Sequence, residues 1–215
     1  FCFQESDGLF DISSGILRNA WNFKSKKVPS QKVLNAFLPL INWPSIEWDK
    51  DSIFLPKAGM EIDFGGFGTE YAADRAAEIC QQLGIQHGLV DLGGDIRVIG
   101  DKEDQSGWTI GIRNPQDPNN AISTLKIHEG ALATSGNYER FMNVNGKHYC
   151  HILKASSGWP VNYWASISIL APQCLVAGSL ATLTMLAEKK GLSWLTEQEV
   201  PFLAIDVHGK QYSNL

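Results

Sequence analysis

Between Glu61 and Gly100 the apolar residues follow first one period and then another, and the change marks the elements. Ala72, Ala76, Ile79 and Leu83 recur at helical spacing, so this stretch predicts a helix with that stripe toward the core. Cys80 is expected on its buried side, as a small apolar residue. A glycine pair stands on either side: Gly65-Gly66 after Asp63-Phe64, and Gly93-Gly94 after Asp91-Leu92. Paired glycines let a backbone bend sharply or approach a ligand closely. A helix entered through such a loop offers free N–H groups to an anion. The two turns together predict a ligand site built largely of main chain.

The rest of the chain mixes short strands and helices without a regular βαβ rhythm, which predicts an α+β fold, and 215 residues suffice for one domain with a good core or two small ones. Asp7-Gly8 signals a turn, and Ser13 or Ser14 would cap a short helix through Trp21. Pro29-Ser30 opens a helix of roughly ten residues carrying Val33, Phe37 and Leu40 on one face. Ile46–Trp48 and Ile53–Leu55 read as two short strands around an Asp-Lys-Asp turn, with Trp43 and Trp48 in the core or at its rim. Gln86–Ile99 reads as a long apolar strand bent at Gly93-Gly94. Trp108, Ile110 and Ile112 alternate as in a half-buried strand, followed by an Asn/Pro-rich loop over Asn114–Asn120. Strands are expected at Ile122–Ile127, Ser166–Leu170 and Val200–Val207. A hairpin at Gly146 joins Phe141–Asn143 to His148–Leu153. Leu175–Ala187 reads as a helix ending at Lys189-Lys190-Gly191.

Composition narrows the function. A net charge of −5 disfavours a nucleic-acid surface, which needs a basic stripe. No run approaches the ~18 apolar residues of a membrane helix. The four cysteines, Cys2, Cys80, Cys150 and Cys174, show no close pairing of the zinc-binding kind, and they permit disulfides without requiring them. Gly65-Gly66-Phe67-Gly68 is not the dinucleotide fingerprint, because Tyr71 stands at the third glycine, and no Walker lysine follows.

Four motifs in order, DFGGFGTEYAADRAAE, VDLGGDI, ALATSGNYERF and HILKASSGWP, resemble those of the ApbE family, the FAD:protein FMN transferases. The resemblance runs from about Asp7 to Asp206. It implies a single ApbE-like flavin transferase domain over 1–215, with mixed and antiparallel sheets and packed helices. It also implies several dozen residues, including early strands, ahead of SDGLFDISSG, a segment that would line the flavin pocket's edge. The reaction it implies moves FMN from FAD to a threonine of a partner flavoprotein and releases AMP, with Mg²⁺ assisting. A periplasmic or cell-envelope location is suggested by the resemblance alone.

Carried over residue by residue, the resemblance makes His151 the catalytic histidine, a group suited to taking a hydroxyl proton near neutral pH. It implies flavin or phosphate contacts at Gly65, Gly66, Thr69, Asp74, Arg75, Gly93, Gly94, Asp95, Thr134, Ser135, Gly136, Tyr138, Lys154 and Gly158. The metal would sit at the Ala133 carbonyl, Thr182 and position 178. Three positions depart from the pattern. Thr69 replaces a lysine, Lys154-Ala155-Ser156-Ser157 replaces Asp-Pro-Arg/Lys-Thr, and Gly178 replaces the metal-binding aspartate. Lys154 is expected to restore part of the missing positive charge. A flavin-holding protein without transferase activity, and an FAD pyrophosphatase giving FMN and AMP, are the competing readings.

Overall fold

A computed structural model describes residues 1–215, the side chain of Pro118 excepted. Its first half runs α1 (Cys2–Glu5), a 3₁₀ helix (Ile12–Asn19), α2 (Gln31–Phe37), β1 (Glu47–Trp48), β2 (Ile53–Phe54), α3 (Gly68–Gln82), β3 (Gly88–Leu92), β4 (Asp95–Gly100) and β5 (Trp108–Asn114). Then follow β6 (Asp117–Ile127), β7 (Ala131–Gly136), β8 (Phe141–Val144), β9 (Lys147–Cys150), β10 (Trp164–Ala171), α4 (Cys174–Ala187), α5 (Gly191–Glu197), β11 (Phe202–Asp206) and β12 (Gln211–Ser213). Six strands form one sheet in the order β12-β11-β10-β7-β4-β3, and every pairing in it is antiparallel. The α+β expectation holds.

Helix α4 is apolar over most of its circumference and largely buried, with Val176 on its one exposed side. It lies on one face of the sheet, where Ile167, Ile169, Ala133, Leu183 and Met185 pack together. The antiparallel ribbon β5–β6 covers the opposite face through Ile110, Ile112 and Ile127, against Ile96, Val98, Leu132 and Leu203. Successive strand residues point to opposite faces. Ala133 and Ser135 therefore look toward α4, and Leu132 and Thr134 toward the ribbon.

Helix α3 exists where the periodicity placed it, but it is rotated. Its buried side is Glu70, Ala73, Asp74 and Ala77, while Ala72, Ile79 and Leu83 are exposed. Two alanines give the close approach to the sheet that bulkier residues would prevent. The carboxylates face inward because each meets a site described below. Cys80, one turn beyond Ala77, is only half-buried.

Other expectations shift for local reasons. Gln86–Ile99 is not one bent strand but the hairpin β3–β4, since Gly93 (φ 72°) and Gly94 (φ 103°) reverse the chain. The loop after β5 shrinks to Pro115-Gln116, because Asp117 already pairs with Asn114. Asn145 and Gly146, both at positive φ, make the expected β8–β9 turn. Asp11, rather than either serine, caps the first 3₁₀ helix, accepting from Ser13 N at 2.8 Å. In α2, Leu34 is the buried residue and Val33 faces out. The chain does not stop at Gly191 but continues into α5, and a Cβ there would fall 2.5 Å from the Thr184 carbonyl oxygen. All four cysteines are free thiols.

Candidate functional site

The turn that leads into α3 is built by Asp63. Its Oδ1 accepts from Gly65 N at 2.7 Å, and its own N–H donates to the Ile12 carbonyl at 2.8 Å, joining the turn to the 3₁₀ helix. Gly66 follows at φ 93°, and a Cβ on it would meet Thr182 Cγ2 at 3.1 Å and Oγ1 at 3.2 Å. The chain thus passes close over the middle of α4. Thr182 Oγ1 in turn lies 3.1 Å from Ser135 Oγ.

Around this junction lies a cavity of about 470 Å³. Its wall brings together Gly65, Gly66, Thr69, Asp95, Thr134, Ser135, Gly136, His151 and Thr182 from the expected set. The segment Leu9–Gly15 lines one rim, with Asp11 held away by Ser13 and by Trp43 N. His151 Nδ1 sits 3.1 Å from the Arg140 carbonyl oxygen, and burial lowers its pKa below the usual 6.5. Asp95 is raised to about 7, first by burial and then by the nearby charge of Glu70. Glu70 itself is raised by burial.

The other expected residues lie elsewhere or serve the scaffold. Asp74 accepts the N–H groups of Cys174 and Leu175, each at 2.9 Å, and its Oδ1 lies 3.4 Å from Arg97 Nε. It therefore caps α4 from a neighbouring helix. Arg75 is exposed and paired with Glu78. Gly93 and Gly94 form the exposed hairpin turn, away from the cavity wall. Only one of the two glycine turns reaches the site. Lys154 Nζ is bound to Glu188 Oε2 at 2.6 Å and lines a separate cleft with Tyr138, so its charge is already neutralised. Tyr138 packs over Gly136, where a Cβ would meet its ring at 2.6 Å. Gly158, at φ 71°, is wedged against Leu17 and Leu34, and its carbonyl accepts from Trp21 Nε1. Thr134 is in the wall, yet its hydroxyl is bound to Ser168 Oγ at 2.8 Å on the sheet's other face.

Ala133 is buried in β7, and Gly178 offers no side chain. No cluster of three or more His, Cys, Asp or Glu fit to hold a metal ion exists among the described residues. What the cavity has is Glu70, Asp95, Ser135 and Thr182, a hard-oxygen set that suits Mg²⁺, Mn²⁺ or Ca²⁺ and not a soft metal. Sequence reasoning missed Glu70 and Arg140. Arg140 brings a guanidinium to the cavity wall, and no ion pair involves it among the described residues. Both lie inside motifs already singled out, but nothing in their spacing distinguishes them from surface charges.

The shape and the sequence agree on a class, the flavin transferase fold. The ApbE protein of Thermotoga maritima superposes with a TM-score of 0.89 at 30% identity, over 99% of this chain and 72% of that one. The flavin transferase ApbE of Vibrio cholerae superposes with a TM-score of 0.83 at 26% identity, over 99% of this chain and 71% of that one. The ApbE family profile matches residues 2–204, and the chain belongs to that family. It is 32% identical to an FAD:protein FMN transferase of Klebsiella pneumoniae over 200 residues, which cover 90% of this chain and 61% of that relative.

Proposed function

We propose that the protein is an FAD:protein FMN transferase that moves FMN from FAD onto a threonine hydroxyl of a partner flavoprotein and releases AMP, assisted by a divalent cation such as Mg²⁺. The observation that carries the reading is the convergence, on one cavity, of a close main-chain turn at Gly65-Gly66, the Ser135–Thr182 hydroxyl pair and His151. The relatives' activity supports it, and the chain spans about 61% of the Klebsiella relative's length.

His151 serves as the base. A carbonyl oxygen can only accept, so its contact with Arg140 places the proton on Nδ1 and leaves Nε2 with a free lone pair. The acceptor threonine gives its proton to that nitrogen as its oxygen bonds to the FMN phosphorus. The bridging bond of the diphosphate breaks, and AMP leaves with the electron pair. With Gly65 N–H held by Asp63 Oδ1, the Gly66 N–H and the Ser135 hydroxyl can donate to phosphate oxygens, and Arg140 supplies a positive charge that Thr69 cannot. A bound divalent cation would further offset the charge building on the leaving phosphate. Thr182 and the main chain at Ala133 are among the groups that would hold it.

Incubating the protein with FAD, Mg²⁺ and a threonine-bearing acceptor, then weighing the products by mass spectrometry, tests this. An FMN adduct on the threonine with equimolar AMP is expected. Unchanged FAD, or free FMN and AMP without an adduct, would replace the reading with a flavin-holding protein or a pyrophosphatase.

A further inference from the structure

We infer that Glu70 supplies the carboxylate that position 178 lacks, so that this chain's divalent-cation site is assembled from Glu70 on α3 with Thr182 on α4 and Ser135 on β7; the identity of the ion rests on the flavin-transfer reading above. A Cβ on Gly178 would lie 2.5 Å from both Cγ and Oε1 of Glu70, and 2.8 Å from its Cδ. The Glu70 carboxyl therefore fills the volume that an acid on residue 178 would occupy. An acid at residue 178 would require the Glu70 side chain to swing out of this volume. Gly178 also stands one helical turn before Thr182, on the same side of α4, so the displaced acid delivers its oxygens to the same neighbourhood.

Glu70 is only 6% exposed, yet it lines the cavity. Its carboxyl meets the main-chain N–H groups of Thr69 and Glu70, but among the described residues no Lys, Arg or His pairs with it. Asp95 faces the same cavity and likewise has no cationic partner. Burying carboxylates without a countercharge is strongly unfavourable. Two of them beside the Ser135–Thr182 hydroxyl pair, 3.1 Å apart, form an oxygen set that a hard divalent cation satisfies. A plainer role for Glu70 is that of an acid in the first turn of α3, favoured by the helix dipole. That role needs no cation, which separates the two.

The test is Mn²⁺ binding followed by electron paramagnetic resonance of the free ion, with and without FAD, alongside thermal melting. The unaltered protein is expected to take up a single Mn²⁺, and Glu70→Gln, which keeps the shape, to lose at least about tenfold in affinity. The exchange variant Glu70→Gly/Gly178→Asp is expected to recover to within about threefold of the original, because it returns one carboxylate to the same volume. Unchanged Mn²⁺ affinity in Glu70→Gln overturns the inference, as does no Mn²⁺ uptake by the unaltered protein under either condition. Glu70→Gln decides the matter alone should the exchange variant fail to fold. FAD affinity measured without any cation reports separately on the flavin reading, which can fail while the ion site stands, or stand while the ion site fails.

Discussion

Nδ1 of His151 lies 3.1 Å from the main-chain carbonyl oxygen of Arg140, which fixes the ring's tautomer and leaves Nε2 unprotonated toward the cavity. Burial acts in the same direction, holding the imidazole neutral by lowering its pKa below 6.5. The base form therefore predominates at neutral pH. Transfer should be flat above pH 7 as far as this group is concerned, and should fall only as pH drops below 6.5. His151→Ala should lower the transfer rate by about 10²- to 10⁴-fold, with FAD affinity nearly unchanged. Rate against pH for the two proteins checks both statements.

Neighbouring hydroxyls on β7 should behave oppositely, because the pleat sends them to opposite faces. Thr134 is bound to Ser168 beneath the ribbon, and Ser135 reaches Thr182 in the cavity. Thr134→Val should leave FAD affinity intact and cost about 1 kcal/mol of stability. Ser135→Ala should weaken FAD binding by up to about tenfold, the worth of one hydrogen bond. Flavin titration and chemical denaturation of both variants distinguish them.

Asp74→Ala should damage the fold before it damages the chemistry. Its carboxylate closes the first N–H groups of α4 at Cys174 and Leu175, while Gln173 provides no side-chain cap. Losing it, with Arg97 left without an anionic partner but still donating to the Gly130 carbonyl, should cost about 2 kcal/mol. A lowered denaturation midpoint with FAD affinity retained below that midpoint is the expected result.

Lys154→Ala should leave FAD affinity unchanged, since the lysine is engaged with Glu188 at 2.6 Å and borders a different cleft. Its cost is structural, about 1 kcal/mol for a partly covered ion pair. Flavin titration and melting of this variant decide the point.

The fold class was legible because α4, the alternating strand Trp108–Ile112 and the glycine turns each obey one local rule. What failed to show is cooperative between distant segments. Nothing near residue 74 says that it caps a helix beginning at residue 174, because that hydrogen bond crosses the fold. The rotation of α3 was hidden for a related reason: its inward positions hold two acids, and a hydrophobic stripe points outward. Gly93-Gly94 looked equivalent to Gly65-Gly66 by composition, but only the latter is carried against α4. The partnership of Glu70 with the missing side chain at residue 178 is a matter of shared volume, which spacing along the chain does not encode.

The proposed transfer requires the cavity beside Gly66 to accept a flavin dinucleotide. Titrating FAD with the folded protein, followed by flavin fluorescence in the presence of Mg²⁺, addresses this directly, with Gly66→Val as the companion. Valine there would need φ near 93° and would press on Thr182. Saturable one-to-one binding by the unaltered protein, markedly weakened in Gly66→Val, is the predicted result. No saturable association at high FAD, in a protein that melts cooperatively, would contradict it.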